Sequence, residues 1–89
     1  MRIGIISGYF NPLHTGHLDY IEAAKKHCNV LYVIVNSDLQ VTLKGSVPFM
    51  NQKDRFRIVN ALQDVSHVRI AEDNDGTGVK TIQSIYEEN

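Results

Sequence analysis

Apolar residues in this chain fall into two kinds of stretch. Residues 2–8 and 30–35 are nearly continuous apolar runs, the first rich in isoleucine and the second reading Val-Leu-Tyr-Val-Ile-Val. Short runs without polar alternation are typical of strands that are buried on both faces of a parallel sheet. A shorter apolar run over residues 65–71 predicts a third strand.

Between these runs, apolar residues recur at intervals of three and four. Over residues 15–27, Leu18, Ile21 and Ala24 share one helical face and charged residues occupy the others, which predicts an amphipathic helix. Cys28 continues the apolar face, so we expect a packing residue, not a nucleophile. A single cysteine also excludes an internal disulfide and suits a reducing compartment.

Two further helices are predicted later in the chain. Asn51 is a good N-cap, and the apolar residues that follow it have helical spacing. The same spacing over residues 79–86 predicts a helix near the end. We expect a loop over residues 36–51 and a polar turn over residues 73–78.

The predicted order of elements is βαβαβα with short connections. Strands that alternate with helices imply a parallel sheet with right-handed crossovers. The fold class is therefore α/β, a Rossmann-like three-layer arrangement, and 89 residues give room for one domain.

Composition and charge argue against some classes of function. With 43% hydrophobic and 21% charged residues, the chain resembles an ordinary soluble domain. Its net charge of −1 argues against a nucleic-acid-binding surface, and the first apolar run is too short for a signal peptide or membrane span. We expect a cytoplasmic protein. Residues 40–57 are locally basic, which suits either an anionic substrate or a solvated surface.

The segment that carries chemistry is the histidine loop, residues 8–17, which reads Gly-Tyr-Phe-Asn-Pro-Leu-His-Thr-Gly-His. It lies between the first strand and the first helix, where α/β folds bind ligands. Gly8 permits a sharp turn, Thr15 can cap the helix, and Gly16 allows a phosphate close to it. The free N–H groups and dipole at a helix start favour an anion.

His14 and His17 are three residues apart, so both imidazoles can reach one bound phosphate. Donors at the oxygens of an α-phosphate would stabilise the charge that builds up during attack. Two alternatives remain for the pair. They could bind a metal, although no further ligands complete a site and we expect none, or either could be a surface residue at a helix start. The dinucleotide and Walker A glycine patterns are absent.

The histidine loop resembles the G-x-F-D-x-x-H-x-G-H signature of the cytidylyltransferase-like nucleotidyltransferases, a family that includes glycerol-3-phosphate cytidylyltransferase and the heptose-phosphate nucleotidyltransferases. The resemblance covers residues 1–72 well and the remainder loosely. It extends to four later stretches. Residues 33–38 resemble a strand with a closing Ser-Asp, and residues 43–45 resemble a lysine-bearing loop. Residues 54–55 resemble an arginine at a helix start, and residues 61–68 resemble the stretch before the third strand.

The resemblance implies roles for individual residues. His14 and His17 would contact the nucleotide phosphates and stabilise the transition state. Lys44 would bridge the substrate phosphate and the nucleotide as a flexible point charge, although it could be a solvated loop residue. The expected nucleotide-binding residues are Gly8, Tyr9, Phe10, Asn11 and Gly16.

Two further residues are implied to bind the substrate. Arg55 would clamp phosphate with its fork of donors, or pair with an acidic residue on its own helix. Asp38 would contact substrate hydroxyls or order the loop, or simply cap the turn after the strand. Mg²⁺ would arrive with the triphosphate and have few or no protein ligands.

The chain departs from the family at several points. Asn11 stands where the family has Asp, Tyr9 where a small hydroxyl residue is common, and Ser46 where a second lysine often follows. Family members also have a further strand-helix set, in which a fourth strand pairs with the first. We expect this chain to be the N-terminal part of the domain, lacking the C-terminal strands and completed by another chain or in a homodimer.

The expected reaction joins CTP or ATP to a small phosphorylated alcohol or sugar with release of pyrophosphate. The alternative is a catalytically silent nucleotide-binding or dimerisation module. A third possibility, half of a dinucleotide-dependent oxidoreductase, is disfavoured by the absent glycine fingerprint. The sequence leaves the base and the acceptor open.

Overall fold

A computed structural model describes residues 1–73 and 78–88 of the chain. The elements in chain order are β1 (Ile3–Gly8), α1 (Thr15–Lys25), β2 (Val30–Val35), α2 (Asp38–Leu43), α3 (Gln52–Asn60), β3 (His67–Ile70) and α4 (Val79–Glu88). The Rossmann-like α/β class and the parallel sheet are confirmed. No described helix combines the length and the apolar character needed to cross a membrane.

The described sheet has the order β1-β2-β3, and both strand pairs are parallel. The central strand β2 is buried from Leu31 to Val35, as its continuous apolar run predicts. The same prediction is wrong for β1, which is only partly buried and exposes Ser7. The reason is position: β1 pairs with β2 on one side, and no other described strand pairs with it on the other.

One helix was not predicted. α2 (Asp38–Leu43) lies inside the expected loop over residues 36–51. Its start is a capping box, in which the Ser37 hydroxyl accepts from the Gln40 N–H at 3.2 Å and the Gln40 amide oxygen accepts from the Ser37 N–H at 3.1 Å. The Ser-x-x-Gln pattern that signals such a box is visible in the sequence.

The start of α4 is fixed by Asp73, in the segment that follows β3. The Asp73 carboxylate accepts from the N–H groups of Lys80 and Thr81 at 2.8 and 3.2 Å and from the Thr81 hydroxyl at 2.6 Å. Most of the polar turn predicted over residues 73–78 lies outside the described residues.

Side chains of β2 alternate between two cores, one on each face of the sheet. Leu31, Val33 and Val35 pack with residues of α1 and α3, and Tyr32 and Ile34 pack with residues of β1 and α4. The result is the predicted three-layer arrangement. Cys28 packs against the first core, as predicted. A Cβ atom at Gly4 would lie 2.9 Å from the Cys28 sulfur. The close approach of Cys28, which follows α1, to strand β1 therefore requires glycine.

Candidate active site

The histidine loop leaves the carboxyl end of β1 and turns around a buried aromatic ring. Phe10 is 1% exposed and has φ +50°, a left-handed conformation that bulky residues rarely adopt. A Cβ atom at Gly8 would lie 2.8 Å from the Phe10 ring, so this turn requires glycine. An unfavourable backbone conformation persists only where the surrounding structure holds it, and here the burial of the Phe10 ring does so.

The two histidines cap α1 reciprocally. His14 is the N-cap, where Thr15 was predicted, and its Nδ1 accepts from the Gly16 N–H at 3.0 Å. The His17 Nδ1 accepts from the His14 N–H at 3.1 Å. A Cβ atom at Gly16 would lie 2.8 Å from Cε1 of His14, so glycine at this position leaves room for the imidazole in its capping position; the predicted phosphate contact of Gly16 stays a prediction. Imidazole therefore takes the place of the hydroxyl and carboxamide of an ordinary capping box.

This capping determines which nitrogen carries the proton. An Nδ1 that accepts a backbone hydrogen bond leaves a neutral imidazole protonated at Nε2. His14 and His17 consequently both have an Nε2–H donor directed away from the helix backbone. Burial lowers the pKa of His17, and the neighbouring charge of His14 lowers it further. The ring centroids are only 3.9 Å apart, so a positive charge on both rings is disfavoured and, together with burial, this favours the neutral form of His17.

Arg55 lies beneath the histidine loop and is fully buried. Its Nε donates to the Met50 carbonyl at 3.0 Å, and one terminal nitrogen donates to the carbonyls of Tyr9 at 2.8 Å and Asn36 at 2.6 Å. The other terminal nitrogen forms an ion pair with Asp38 at 2.6 Å. One guanidinium thus joins the histidine loop, the end of β2, the start of α2 and the segment before α3.

The structure does not bring Arg55 to the surface of the site. A direct phosphate contact, as predicted from the sequence, would require the guanidinium to leave these protein partners. The acidic partner that it does have comes from α2, not from its own helix. The Asp38 side chain is 37% exposed near the carboxyl end of β2. It is therefore accessible to a substrate, and the predicted contact with substrate hydroxyls stays a prediction.

A second loop lies beside the first. The lysine loop, residues 44–50, follows α2 and is held by the Asn11 side chain. The Asn11 amide donates to the Val47 carbonyl at 3.0 Å, and its oxygen accepts from the N–H groups of Phe49 at 2.6 Å and Met50 at 3.3 Å. Asn11 therefore ties the two loops together through both ends of its amide.

Lys44 is brought to the histidine loop by this arrangement. It is the exposed C-cap residue of α2, and its Nζ lies 4.1 Å from the centroid of the Tyr9 ring. His14, His17, Tyr9 and Lys44 thus lie on the two loops at the carboxyl edge of the sheet. Among the residues that the structure describes, no three His, Cys, Asp or Glu side chains are grouped as metal ligands.

Sequence reasoning did not find the supporting roles of Asn11 and Arg55. The partners of Asn11 are 36 to 39 positions away and the Tyr9 carbonyl is 46 positions from Arg55. The basic stretch over residues 40–57 indicated cations without showing that Arg55 is buried and Lys44 exposed. One feature of the sequence indicated that Arg55 is buried. The helical spacing after Asn51 places Arg55 on the same face as Val59, and both residues are buried.

The profile of the cytidylyltransferase-like family matches residues 5–86. An FAD synthase of Methanohalophilus mahii is 38% identical over 71 residues, which are 80% of this chain and 49% of that protein. A bifunctional protein HldE of Hyphomonas neptunium is 42% identical over 72 residues, which are 79% of this chain and 15% of that protein. The chain thus spans about half of the first relative and less than a fifth of the second.

A solved structure agrees in fold. The lipopolysaccharide core biosynthesis protein from Thermoplasma volcanium superposes with a TM-score of 0.88 at 26% identity, covering 96% of this chain and 68% of that one. The family profile covers all three described strands apart from the first two residues of β1, as well as both loops of the site. The chain belongs to the cytidylyltransferase-like family.

Proposed function

We propose that this chain forms the nucleotide-binding part of a nucleotidyltransferase. The enzyme would transfer CMP from CTP, or AMP from ATP, to a small phosphorylated alcohol or sugar and release pyrophosphate. The observation that carries the proposal is the reciprocal cap of His14 and His17, which leaves two Nε2–H donors beside the start of α1. Fixed donors at a helix N-terminus are suited to the oxygens of a phosphate.

The chemistry needs few groups from the protein. A phosphate oxygen of the acceptor attacks the α-phosphorus of the nucleotide, a new P–O bond forms, and the bond to the bridging oxygen of pyrophosphate breaks. The acceptor phosphate is already ionised near pH 7, so no general base is required. Negative charge grows on the equatorial oxygens in the transition state, and catalysis consists of positioning and stabilising that charge.

Further residues at the same edge fit subsidiary roles. Lys44 supplies an exposed cation that could bridge the acceptor phosphate and the nucleotide. Backbone groups at Gly8, Tyr9 and Phe10 would cradle the triphosphate. Asp38 would meet acceptor hydroxyls, while Arg55 holds the loops in position from beneath. Mg²⁺ would enter with the triphosphate, since this ion usually keeps several waters and phosphate ligands.

The test is a transfer assay on the protein produced from its complete reading frame. CTP and ATP are each paired with glycerol 3-phosphate, a sugar 1-phosphate and flavin mononucleotide, the last because some relatives are named FAD synthase. Pyrophosphate release with one pair supports the proposal and identifies base and acceptor. Calorimetric nucleotide binding without release would favour the catalytically silent nucleotide-binding or dimerisation module. Absence of both binding and release would reject the proposal.

A further inference from the structure

The Lys44 ammonium rests against an aromatic ring that belongs to the other loop. Its Nζ is 4.1 Å from the centroid of the Tyr9 ring, well inside the distance of about 6 Å over which a cation is attracted to a ring face. Lys44 is an exposed residue at the end of α2, and a lysine in such a place is ordinarily free to sample many rotamers in water. The ring restricts that freedom.

Both partners of this contact are fixed through their backbones. The Tyr9 carbonyl accepts from buried Arg55 at 2.8 Å, and the next residue, Phe10, is itself buried. The segment that follows Lys44 is held by the Asn11 side chain at Val47 and beyond. The Lys44 N–H also donates to the Gln40 carbonyl at 3.0 Å, so the backbone on either side of the contact is anchored and keeps the Tyr9 ring within reach of the Lys44 side chain.

We propose that Tyr9 is a positioning residue that holds the Lys44 ammonium beside the site where the nucleotide phosphates bind. The inference rests on the proposed function of Lys44. The ammonium has three N–H donors and can donate to a phosphate while it stays over the ring face, so the contact is kept when the triphosphate binds. Ordering Lys44 in advance lowers the entropy cost of binding. The ring, and not the hydroxyl, performs this role.

The first experiment measures the contact without reference to activity. Lysines are reductively methylated with ¹³C-formaldehyde, which keeps their charge, and the Lys44 signal is assigned by its loss in Lys44→Arg. A methyl group above an aromatic face is shifted upfield by the ring current. We expect that shift in the wild type and in Tyr9→Phe, and its loss in Tyr9→Leu. A Lys44 signal at the position of an ordinary solvated lysine in the wild type would overturn the inference.

The second experiment asks whether Tyr9 acts through Lys44. For the nucleotide that the enzyme uses, Tyr9→Leu should raise KM roughly threefold to tenfold and leave kcat within about twofold, the size expected when one flexible side chain must be ordered on binding. Tyr9→Phe should restore the wild-type KM. Tyr20→Leu, which removes an exposed tyrosine of α1, serves as the matched control and should change neither parameter.

A double-mutant cycle completes the test. If Tyr9 works only by placing the ammonium, Tyr9→Leu should have no further effect on KM in a Lys44→Met background. Additive effects, or failure of Tyr9→Phe to restore KM, would overturn the inference. The two proposals fail differently: a wild type that neither binds nucleotide nor releases pyrophosphate rejects the proposed function and the phosphate role of Lys44 with it, while the ¹³C signal still decides the ring contact.

Discussion

The two loops of the site differ in how their functional groups are held. In the histidine loop, both imidazoles are fixed by backbone hydrogen bonds and the loop is anchored by the buried Phe10 ring. In the lysine loop, Val47 and Phe49 are 81% and 76% exposed, and Lys44 is exposed as well. The histidine donors are fixed by hydrogen bonds to backbone, whereas the lysine ammonium lies at the end of a long side chain and contacts the Tyr9 ring.

The difference matches the work proposed for each loop. Donors that stabilise charge in a transition state are most effective when they need not reorganise during the reaction. A cation that must meet an incoming phosphate gains from a flexible stem. Arg55 lies beneath both loops. It is fully buried and donates hydrogen bonds to the carbonyls of Tyr9 and Met50. The fixed loop and the adaptable one are thus built on the same buried cation.

Replacement of this shared support should have the largest effect. Arg55→Met removes an ion pair and three bonds to carbonyls, so we expect the free energy of unfolding to fall by about 3 kcal/mol, the low end for breaking a buried pair because Asp38 is partly exposed. Arg57→Met, an exposed change on the same helix, should stay within about 0.5 kcal/mol. Denaturant unfolding followed by circular dichroism measures both. Equal losses in the two variants would contradict the role of Arg55.

Loss of a fixed donor should follow. His17→Ala removes one Nε2–H donor, and we expect turnover to fall about a hundredfold or more, as for other lost oxyanion donors. Because His17 also caps α1, a loss of about 1 kcal/mol of stability should accompany it. His27→Ala, at an exposed position near the other end of the helix, should leave turnover unchanged. Turnover of His17→Ala within a few fold of wild type would remove His17 from the mechanism.

Separation of the two loops should have a smaller effect. Asn11→Ala removes the side-chain bonds to Val47, Phe49 and Met50, and we expect about 2 kcal/mol of lost stability at roughly 1 kcal/mol or less per bond. Asn11→Asp, which restores the family's residue, keeps the acceptor for both N–H groups but cannot donate to Val47, so about 1 kcal/mol is expected. Trypsin should also cleave after Lys44 faster in Asn11→Ala. If Asn11→Ala is no less stable than Asn11→Asp, the Asn11 side chain does not hold the two loops together.

The smallest effect expected is a pH dependence from the fixed loop. The folded pKa of His17 is lowered by burial and then by His14, so the native state binds fewer protons than the unfolded chain. Stability from this group is complete above the ordinary histidine pKa near 6.5 and is lost as pH falls toward the lowered value. His17→Gln keeps a capping acceptor without titrating. The wild type should therefore lose stability relative to His17→Gln as the pH falls below about 6.5, and parallel curves of unfolding free energy against pH would contradict this.

The sequence alone was sufficient for the features that arise from neighbouring residues. The continuous apolar run of β2, the amphipathic spacing of α1 and the Asn51 cap all act within a few positions, so the printed residues determine them. The motif over residues 8–17 likewise identified the loop and its histidine pair. The α2 helix belongs in this class as well, because its Ser37–Gln40 box is local, although it was not predicted.

Only the tertiary structure decided which polar side chains are exposed at the candidate site and which hold the protein together. Lys44 and Arg55 come from the same basic stretch, yet one is exposed above Tyr9 and the other is buried below it. Asn11 likewise bonds to a loop more than thirty-five positions away. A cation enters the interior only where several acceptors converge on it. Those acceptors come from segments distant in sequence, and the partly exposed state of β1 likewise depends on which strands lie beside it.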